Sequence, residues 1–407
     1  MTLTLLLDLD DTLLGNSMDT FLPVYFQAIG KHLSHFAPPG KLLPLLLRAT
    51  REMVENDRLD QSLKQVFDQA FFPALGFQPE EVQESIDAFY AEVFPTLRSV
   101  TQPRPEAVEL VWEAIARKYC LVLATSPLFP RTAIVQRLTW AGLSPEDFSL
   151  IPSYETNYFA KPNPAYFAEL LAGLGWPEGP VVMVGDDFYS DILPARKAGI
   201  ATYWISAEPR VKPDDSSVES AGGKLGSLLD WLKSASEEEL QPEFDQPDAI
   251  LAILRATPAA LASLFNHLPL NAWTASPGTG EWSPAEILCH LRDVESEVNL
   301  PRTVKVLQEF NPFLPGMDTD PWAKERNYIV QEGLSALKDF TNCRQELVNL
   351  LASLPARDWD RPARHAIFGP THLGELSGIV ASHDRLHLRQ IFETIGTIRS
   401  HAQAYPA

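Results

Sequence analysis

The chain has 407 residues, which is enough for two or three domains of ordinary size. Apolar residues make up 45% and charged residues 21%, proportions that exclude collagen-like, disordered and disulfide-scaffold proteins. The formal net charge of −20 argues against nucleic acid or an anionic membrane as the main partner, because both would repel an acidic protein.

The amino terminus and the cysteines predict a cytoplasmic protein. Residues 1–11 have no basic region and reach acids at Asp8 and Asp10, so we do not expect a signal peptide. We expect no apolar run of the roughly 18–20 residues that a membrane span requires. The three cysteines form no Cys-x-x-Cys pair, and their odd number favours a reducing compartment.

Strand and helix signals alternate along the first half of the chain. Apolar runs predict buried strands at 3–8, 120–126, 181–185 and 201–205. Helical stretches separate the later runs, and residues 17–100 show helical spacing with no strand run. Buried strands separated by helices predict an α/β fold with a doubly wound parallel sheet.

A change of composition near the middle predicts a domain boundary. Residues 213–248 are rich in Gly, Ser, Pro and acids, and we interpret them as the last turns of a domain over 1–235, followed by a linker at 236–246. Four amphipathic segments follow and predict an all-α four-helix bundle over 247–400. Seven of the nine histidines lie after this boundary, which makes the bundle the better candidate for imidazole chemistry.

Polar clusters stand near the carboxyl ends of the predicted strands. They begin at Asp8, Thr125, Lys161 and Asp186. Ligands bind at this edge of an open α/β sheet, so the four clusters can converge on one pocket. Carboxylates can hold Mg²⁺ or attack phosphorus, and a lysine can offset the charge of a phosphate. The alternative is that these aspartates only form turns and cap helices.

The stretch Asp8-Leu9-Asp10-Asp11-Thr12, with the three later clusters, resembles the haloacid dehalogenase superfamily over about residues 1–235. The resemblance implies that Asp8 is the nucleophile and that Asp10 is the general acid and base. It further implies that the Thr125 hydroxyl and Lys161 bind the phosphoryl group. Asp10 favours a phosphatase over a dehalogenase, because an ester leaving group needs a proton.

The same resemblance implies a Mg²⁺ site. Its ligands would be Asp8, the backbone carbonyl of Asp10, Asp186 and Asp191, the last of these either directly or through water. Asp187 also fits the spacing, so a register that pairs Asp187 with Asp191 stays open.

The helical stretch at about 15–100 interrupts the predicted core, which comprises residues 1–14 and 101–235. In the superfamily such an insert is an all-helical cap over the pocket, which implies a small phosphorylated molecule as substrate. The alternative is an insert that serves only as an interface.

Three histidines of the second half form a candidate metal site. His383 and His387 are four residues apart and so share one face of a helix, and His290 lies on another predicted helix. Three imidazoles can form an open site, although exposed helical histidines without a metal are common. The His-Asp-x-x-His spacing also raises a zinc-protease alternative, which the short Asp384 carboxylate disfavours.

The sequence segments around these histidines resemble the DinB-like four-helix bundle family over about residues 247–400. The resemblance implies that His290, His383 and His387 bind a divalent transition metal, often Zn²⁺ or Ni²⁺, and some members transfer low-molecular-weight thiols. Thiol transfer could therefore be the main activity, or the bundle could be a non-catalytic binding module that forms a homodimer.

Four other histidines carry less weight. We expect His365 and His372 near the mouth of the metal site, and His267 and His401 at the surface.

Overall fold

The computed structural model describes residues 2–206, 220–266 and 268–404. The chain forms two compact units. The first comprises Met1–Asp57, Gln61–Leu170 and Glu178–Pro242, and the second comprises Arg58–Asp60, Leu171–Pro177 and Glu243–Ala407. Part of the predicted boundary stretch, residues 213–219, lies outside the described residues.

Five parallel strands form the central sheet of the first unit, and a two-stranded ribbon stands beside it. The strands of the first half are β1 (Thr4–Leu7), β2 (Leu14–Gly15), β3 (Gln102–Pro103), β4 (Cys120–Leu123), β5 (Val181–Gly185), β6 (Ala201–Ile205) and β7 (Ala221–Gly223). The sheet order is β4-β1-β5-β6-β7, so the chain winds from β1 in both directions, which confirms the predicted doubly wound parallel sheet. Strand β7 was not predicted, because its three residues are Ala-Gly-Gly.

A helical insert separates β2 from β3. Its helices are α1 (Met18–His32), α2 (Pro39–Val54), α3 (Leu63–Leu75) and α4 (Pro79–Ala88). Strands β2 and β3 pair antiparallel and form the stem of the insert. Local signals fix α3, since Ser62 and Gln65 form a reciprocal capping box and Gly76, at a φ of +95°, ends the helix.

Six further α-helices lie in the described part of the first half. They are α5 (Pro105–Ala116), α6 (Arg131–Trp140), α7 (Pro164–Gly173), α8 (Leu193–Lys197), α9 (Leu228–Ser234) and α10 (Glu237–Leu240). Strand β1 is buried along its whole length, as expected for a central strand that is covered on both faces.

The second half is the predicted four-helix bundle. Its helices are α11 (Pro247–Asn266), α12 (Leu270–Trp273), α13 (Pro284–Val294), α14 (Leu300–Gln308), α15 (Trp322–Glu325), α16 (Gly333–Ala352) and α17 (Leu373–Ala404). A π-helical turn at Glu295–Asn299 joins α13 to α14. Helices α11, α13, α16 and α17 pack against one another and enclose the core.

A small sheet, which the sequence pattern did not indicate, accompanies the bundle. It contains β8 (Phe313–Leu314), β9 (Pro362–His365) and β10 (Gly369–His372) in the order β10-β9-β8. These strands are two to four residues long, too short for an alternation of apolar and polar residues to be recognised.

Helix α11 corrects one expectation from the sequence. With 20 residues and a mean hydropathy of 1.5, it is the one helix in the described parts of the chain that is long and apolar enough to cross a membrane. Most of this apolar stretch is buried inside the protein, so the packing of a core helix accounts for its composition.

Candidate active site and candidate metal centre

The loop after β1 places two aspartates at the point where the sheet changes winding direction. Asp8 follows β1 directly and is only 6% exposed. Asp11 adopts a φ of +53°, and the backbone N–H groups of Leu13 and Leu14 both donate to the carbonyl of Leu9. Aspartate tolerates this left-handed conformation better than most residues, so the sequence can make the tight turn.

Lys161 is the cation of this site. Its Nζ donates to Asp8 Oδ1 at 2.7 Å and to Asp191 Oδ1 at 2.5 Å, and all three side chains are buried. The structure therefore brings together three predicted residues that lie up to 183 positions apart in the chain.

Asp186 completes a cluster of three carboxylates. Asp8, Asp186 and Asp191 each offer one oxygen, and the three oxygens lie within 4.8 Å of one another. Asp187 has a different role. Its side chain accepts hydrogen bonds from the backbone N–H groups of Tyr189 and Ser190 and so caps the following turn. The structure thus separates the two registers that the sequence left open.

Burial and charge shift the pKa values of this cluster. Burial raises the pKa of Asp8 to about 7; Lys161 opposes the rise, and Asp191 and Asp10 add to it. Burial also raises the pKa of Asp191, against the effect of Lys161. Burial alone would lower the pKa of Lys161, but Asp191 and Asp8 outweigh it and raise that pKa. A further cation at this site would favour ionised carboxylates.

The Asp10 side chain has two partners of its own outside the carboxylate cluster. Its Oδ1 accepts a hydrogen bond of 2.6 Å from Asn16 Nδ2, and its Oδ2 pairs with the buried guanidinium of Arg137. Neither partner was predicted from the sequence. No motif marks Asn16, and the available signal for Arg137 was a basic residue on an otherwise apolar helix face.

Thr125 and Ser126 follow β4. Thr125 is almost fully buried, and its backbone carbonyl accepts the hydroxyl of Tyr166 at 2.6 Å. Ser126 lines a cavity of about 350 Å³ together with the carboxylate cluster, Lys161 and Asp10.

The three predicted histidines also come together. His383 Nε2 lies 3.3 Å from His290 Nε2 and 3.1 Å from His387 Nε2, so one nitrogen of each ring faces a common point. The rings come from α13 and α17, and Ser283 fixes the start of α13 through a capping box with Glu286.

Burial lowers the pKa values of these three imidazoles, which favours their neutral form. Burial lowers the pKa of His290 to about 3, with His387 and His383 contributing, and burial also lowers the pKa of His383 to about 3. His387 Nδ1 lies 2.9 Å from the side-chain oxygen of Gln390, a position that leaves its Nε2 as the acceptor.

A cavity of about 510 Å³ opens beside His387. Trp282, Gln390 and Glu393 contribute to its wall. The Trp282 ring stacks near the His387 ring, with centroids 6.4 Å apart. The histidine cluster therefore has space for a small molecule beside it.

Asp384 lies between two of the histidines in sequence but faces elsewhere. Its carboxylate pairs with the buried guanidinium of Arg344, which also donates to Glu295 Oε1 at 2.6 Å. An aspartate held in this way cannot act as a base at the histidines, which removes the zinc-protease alternative.

His365 and His372 lie outside this cluster. His365 is buried in β9, where its Nδ1 accepts the backbone N–H groups of Ile367 and Phe368. His372 Nδ1 lies 3.2 Å from the carbonyl of Trp359. His267 is outside the described residues, and the side chain of His401 is not described.

Two family models match the chain. Residues 2–199 match the haloacid dehalogenase-like hydrolase family, and residues 253–391 match the DinB superfamily. These matches confirm the two resemblances, each over its own half of the chain.

Curated relatives match the first half. A phosphoserine phosphatase from Thermus thermophilus is 30% identical over 168 residues, which is 41% of this chain and 63% of the relative. The pyrimidine 5'-nucleotidase YjjG from Escherichia coli is 33% identical over 142 residues, which is 34% of this chain and 58% of the relative. The chain thus spans about three fifths of the length of these two relatives.

Solved structures match each half at low identity. A 2-haloacid dehalogenase from Pseudomonas syringae pv. Tomato has 24% identity, with 57% of this chain and 99% of that chain covered and a TM-score of 0.40. YfiT from Bacillus subtilis, which has an unusual four-helix bundle topology, has 19% identity, with 37% and 87% covered and a TM-score of 0.34.

Proposed function

We propose that the first half of the chain is a Mg²⁺-dependent phosphatase that hydrolyses small phosphate monoesters through an aspartyl-phosphate intermediate. The observation that carries the proposal is the buried triad in which Lys161 Nζ donates to both Asp8 and Asp191. The triad supports the proposal because a carboxylate able to attack phosphorus, a cation and a second carboxylate suited to a metal lie together at the edge of the sheet. A phosphatase and a nucleotidase among the curated relatives support an ester of phosphoric acid as the substrate.

The donor set fits a hard divalent cation. Asp8, Asp186, Asp191 and the backbone carbonyl of Asp10 would hold Mg²⁺, and all of these donors are oxygen atoms. When bound, the ion supplies positive charge that offsets the charge of the phosphoryl oxygens.

Each step of the proposed reaction is assigned to a side chain of this protein. The Asp8 carboxylate attacks phosphorus while Asp10 protonates the departing ester oxygen, so the alcohol leaves and Asp8 carries the phosphoryl group. Asp10, now a carboxylate, takes a proton from water, and that water attacks phosphorus. The bond between Asp8 and phosphorus then breaks, which releases phosphate and restores both side chains. Lys161 and Thr125 bind the phosphoryl oxygens throughout.

Arg137 and Asn16 position Asp10 for this work. Each contacts a different carboxylate oxygen, so together they fix the plane of the group.

We infer a cytoplasmic protein that acts on a small phosphorylated molecule and neither binds nucleic acid nor enters a membrane. A homodimer formed through the bundle is part of the same proposal.

Hydrolysis of an aryl phosphate with added Mg²⁺ tests the proposal. We expect turnover that requires Mg²⁺ and falls at least about a thousandfold in Asp8→Asn, because the amide cannot replace the nucleophile. Asp230→Asn, an exposed aspartate that pairs with Lys233, is the matched control and should keep full activity. A variant with alanine at His290, His383 and His387 shows whether the bundle contributes to this turnover. Turnover that persists in Asp8→Asn would overturn the mechanism.

The bundle has a second candidate function. We propose that His290, His383 and His387 hold a divalent transition metal, Zn²⁺ or Ni²⁺, since the three converging Nε2 atoms are imidazole donors that suit such ions. The cavity beside His387 favours a site that meets a small molecule, such as a thiol for transfer, over a closed structural site. The metal content of the purified protein, compared with that of His383→Ala, tests this assignment.

A further inference from the structure

A second cavity lies against the helical insert. Its volume is about 320 Å³, and its wall combines residues of α1, α2, α3 and α4 with residues that follow β4. Most of the wall is aliphatic or aromatic, and its members include Leu22, Tyr25, Phe26, Ile29, Phe71 and Tyr90. A site of roughly 150 Å³ is enough to hold benzene, so this cavity can take a ring with substituents.

The apolar cavity adjoins the acidic one at the proposed general acid. Asp10, Met18 and Ser126 line both cavities. The leaving-group oxygen must lie next to Asp10 when the phosphoryl group lies next to Asp8. The part of the substrate beyond that oxygen therefore extends into the apolar cavity.

Three polar side chains on this wall already have hydrogen-bond partners. The hydroxyls of Tyr25 and Tyr90 lie 2.9 Å apart and share a hydrogen bond. Asp68 accepts Lys64 Nζ at 2.6 Å. A sugar or an amino acid placed here would lose water and gain few hydrogen bonds in return, which costs binding free energy.

Arg137 is the exception at the mouth of the cavity. Its guanidinium is buried, lies 5.3 Å from the centre of the Phe129 ring and pairs with Asp10. Arg137 therefore contacts Asp10 and an aromatic ring, so its role is to position the general acid rather than to bind the leaving group.

We infer that the substrate is a phosphate monoester of an apolar alcohol of about the size of a substituted aromatic ring. This inference rests on the proposed phosphatase function and adds the chemical class of the leaving group. The apolar cavity binds the hydrocarbon part, and Asp10 at its mouth protonates the ester oxygen.

Two primary alkyl phosphates test the inference without a difference in leaving-group chemistry. One is 2-phenylethyl phosphate, and the other is glycerol 1-phosphate, whose alcohol is small and polar. With Mg²⁺ present, we expect kcat/KM for the phenylethyl ester to be higher by about tenfold or more, mainly through a lower KM, because the ring leaves water for an apolar site.

A polar substitution in the wall of the apolar cavity should reduce the preference for the phenylethyl ester. Leu22 lines the cavity on α1, and Val24 lies on the same helix outside the lining, with similar partial burial. Leu22→Gln should lower the ratio of the two kcat/KM values by about fivefold or more, because the amide must lose water to face the ring. Val24→Gln should leave both rates and their ratio unchanged.

The outcomes separate this inference from the function on which it rests. If both esters are hydrolysed and the glycerol ester is as good a substrate or better, the apolar leaving group is wrong and the phosphatase stands. An unchanged ratio in Leu22→Gln likewise overturns the placement of the ring. If the enzyme with Mg²⁺ turns over neither these esters nor an aryl phosphate, the proposed function fails, and this inference fails with it.

Discussion

Gly185 shows how a single missing side chain shapes the carboxylate cluster. It is the last residue of β5, and a Cβ there would overlap the side chain of Asp191. The Asp191 carboxylate can therefore lie over the strand end and accept Lys161, while its second oxygen accepts the backbone N–H of Asp187.

We predict that Gly185→Ala weakens Mg²⁺ binding. The new methyl group displaces Asp191 from its place beside Asp8 and Asp186, so the Mg²⁺ concentration for half-maximal hydrolysis should rise by about tenfold or more. Gly226→Ala is the matched control, because a Cβ at Gly226 meets no atom within 4 Å. An unchanged Mg²⁺ requirement in Gly185→Ala would show that Asp191 does not serve the metal.

Single residues also mark the limit of what the sequence predicts. The motif residues Asp8, Lys161 and Asp191 were found because their order and strand-end positions are distinctive. Arg137 and Asn16 were not, because their role depends on tertiary contacts with Asp10 that no local pattern records. The choice between Asp186 and Asp187 needed the capping hydrogen bonds of the turn, which spacing alone does not fix.

At the scale of elements, one buried network joins four segments of the bundle. Arg344 of α16 bonds Glu295 in the π-helical turn and Asp384 of α17, and all three side chains are fully buried or nearly so. One guanidinium thus stands between two carboxylates, and its Nη1 also donates to the carbonyl of Leu254 in α11. Asp384 precedes His387 by less than one helical turn, so the network also fixes the rotation of the metal-binding face.

We predict that Arg344→Met destabilises the bundle by about 3–5 kcal/mol, because two buried carboxylates lose their cation. Denaturant unfolding, with hydrogen exchange of bundle peptides to locate the transition, measures the change. Lys338→Met, an exposed position on the same helix, should change stability by less than about 0.5 kcal/mol. A loss below about 1 kcal/mol in Arg344→Met would mean that the carboxylates are solvated or protonated instead.

Long, periodic elements were the ones that the sequence predicted well. Helices α11, α13, α16 and α17 span 11 to 32 residues, and each overlaps one of the four predicted amphipathic segments. Strands β8, β9 and β10 carry too few residues for a pattern, and their pairing depends on contacts distant in sequence. The apolar composition of α11 reflects burial on several sides, which composition alone does not distinguish from a membrane span.

The described parts of the molecule contain two candidate metal sites with different donor chemistry. The first half offers three carboxylates beside Lys161, and the second offers three neutral imidazoles. Hard Mg²⁺ prefers oxygen and exchanges readily, whereas Zn²⁺ and Ni²⁺ bind imidazole tightly. The donor atoms alone can therefore direct each metal to its own site in one chain.

We predict that the two metals separate on dialysis. After dialysis without added metal, the protein should retain about one transition-metal ion per chain and should hydrolyse phosphate esters only when Mg²⁺ is restored. Asp8→Asn should keep the transition metal and lose hydrolysis, while His383→Ala should lose the transition metal and keep Mg²⁺-dependent hydrolysis. His372→Ala, a histidine of β10 outside the cluster, is the control for the bundle. Transition metal that stays in His383→Ala, or leaves with Asp8→Asn, would mean that the ion occupies the carboxylates and that donor chemistry does not sort the metals.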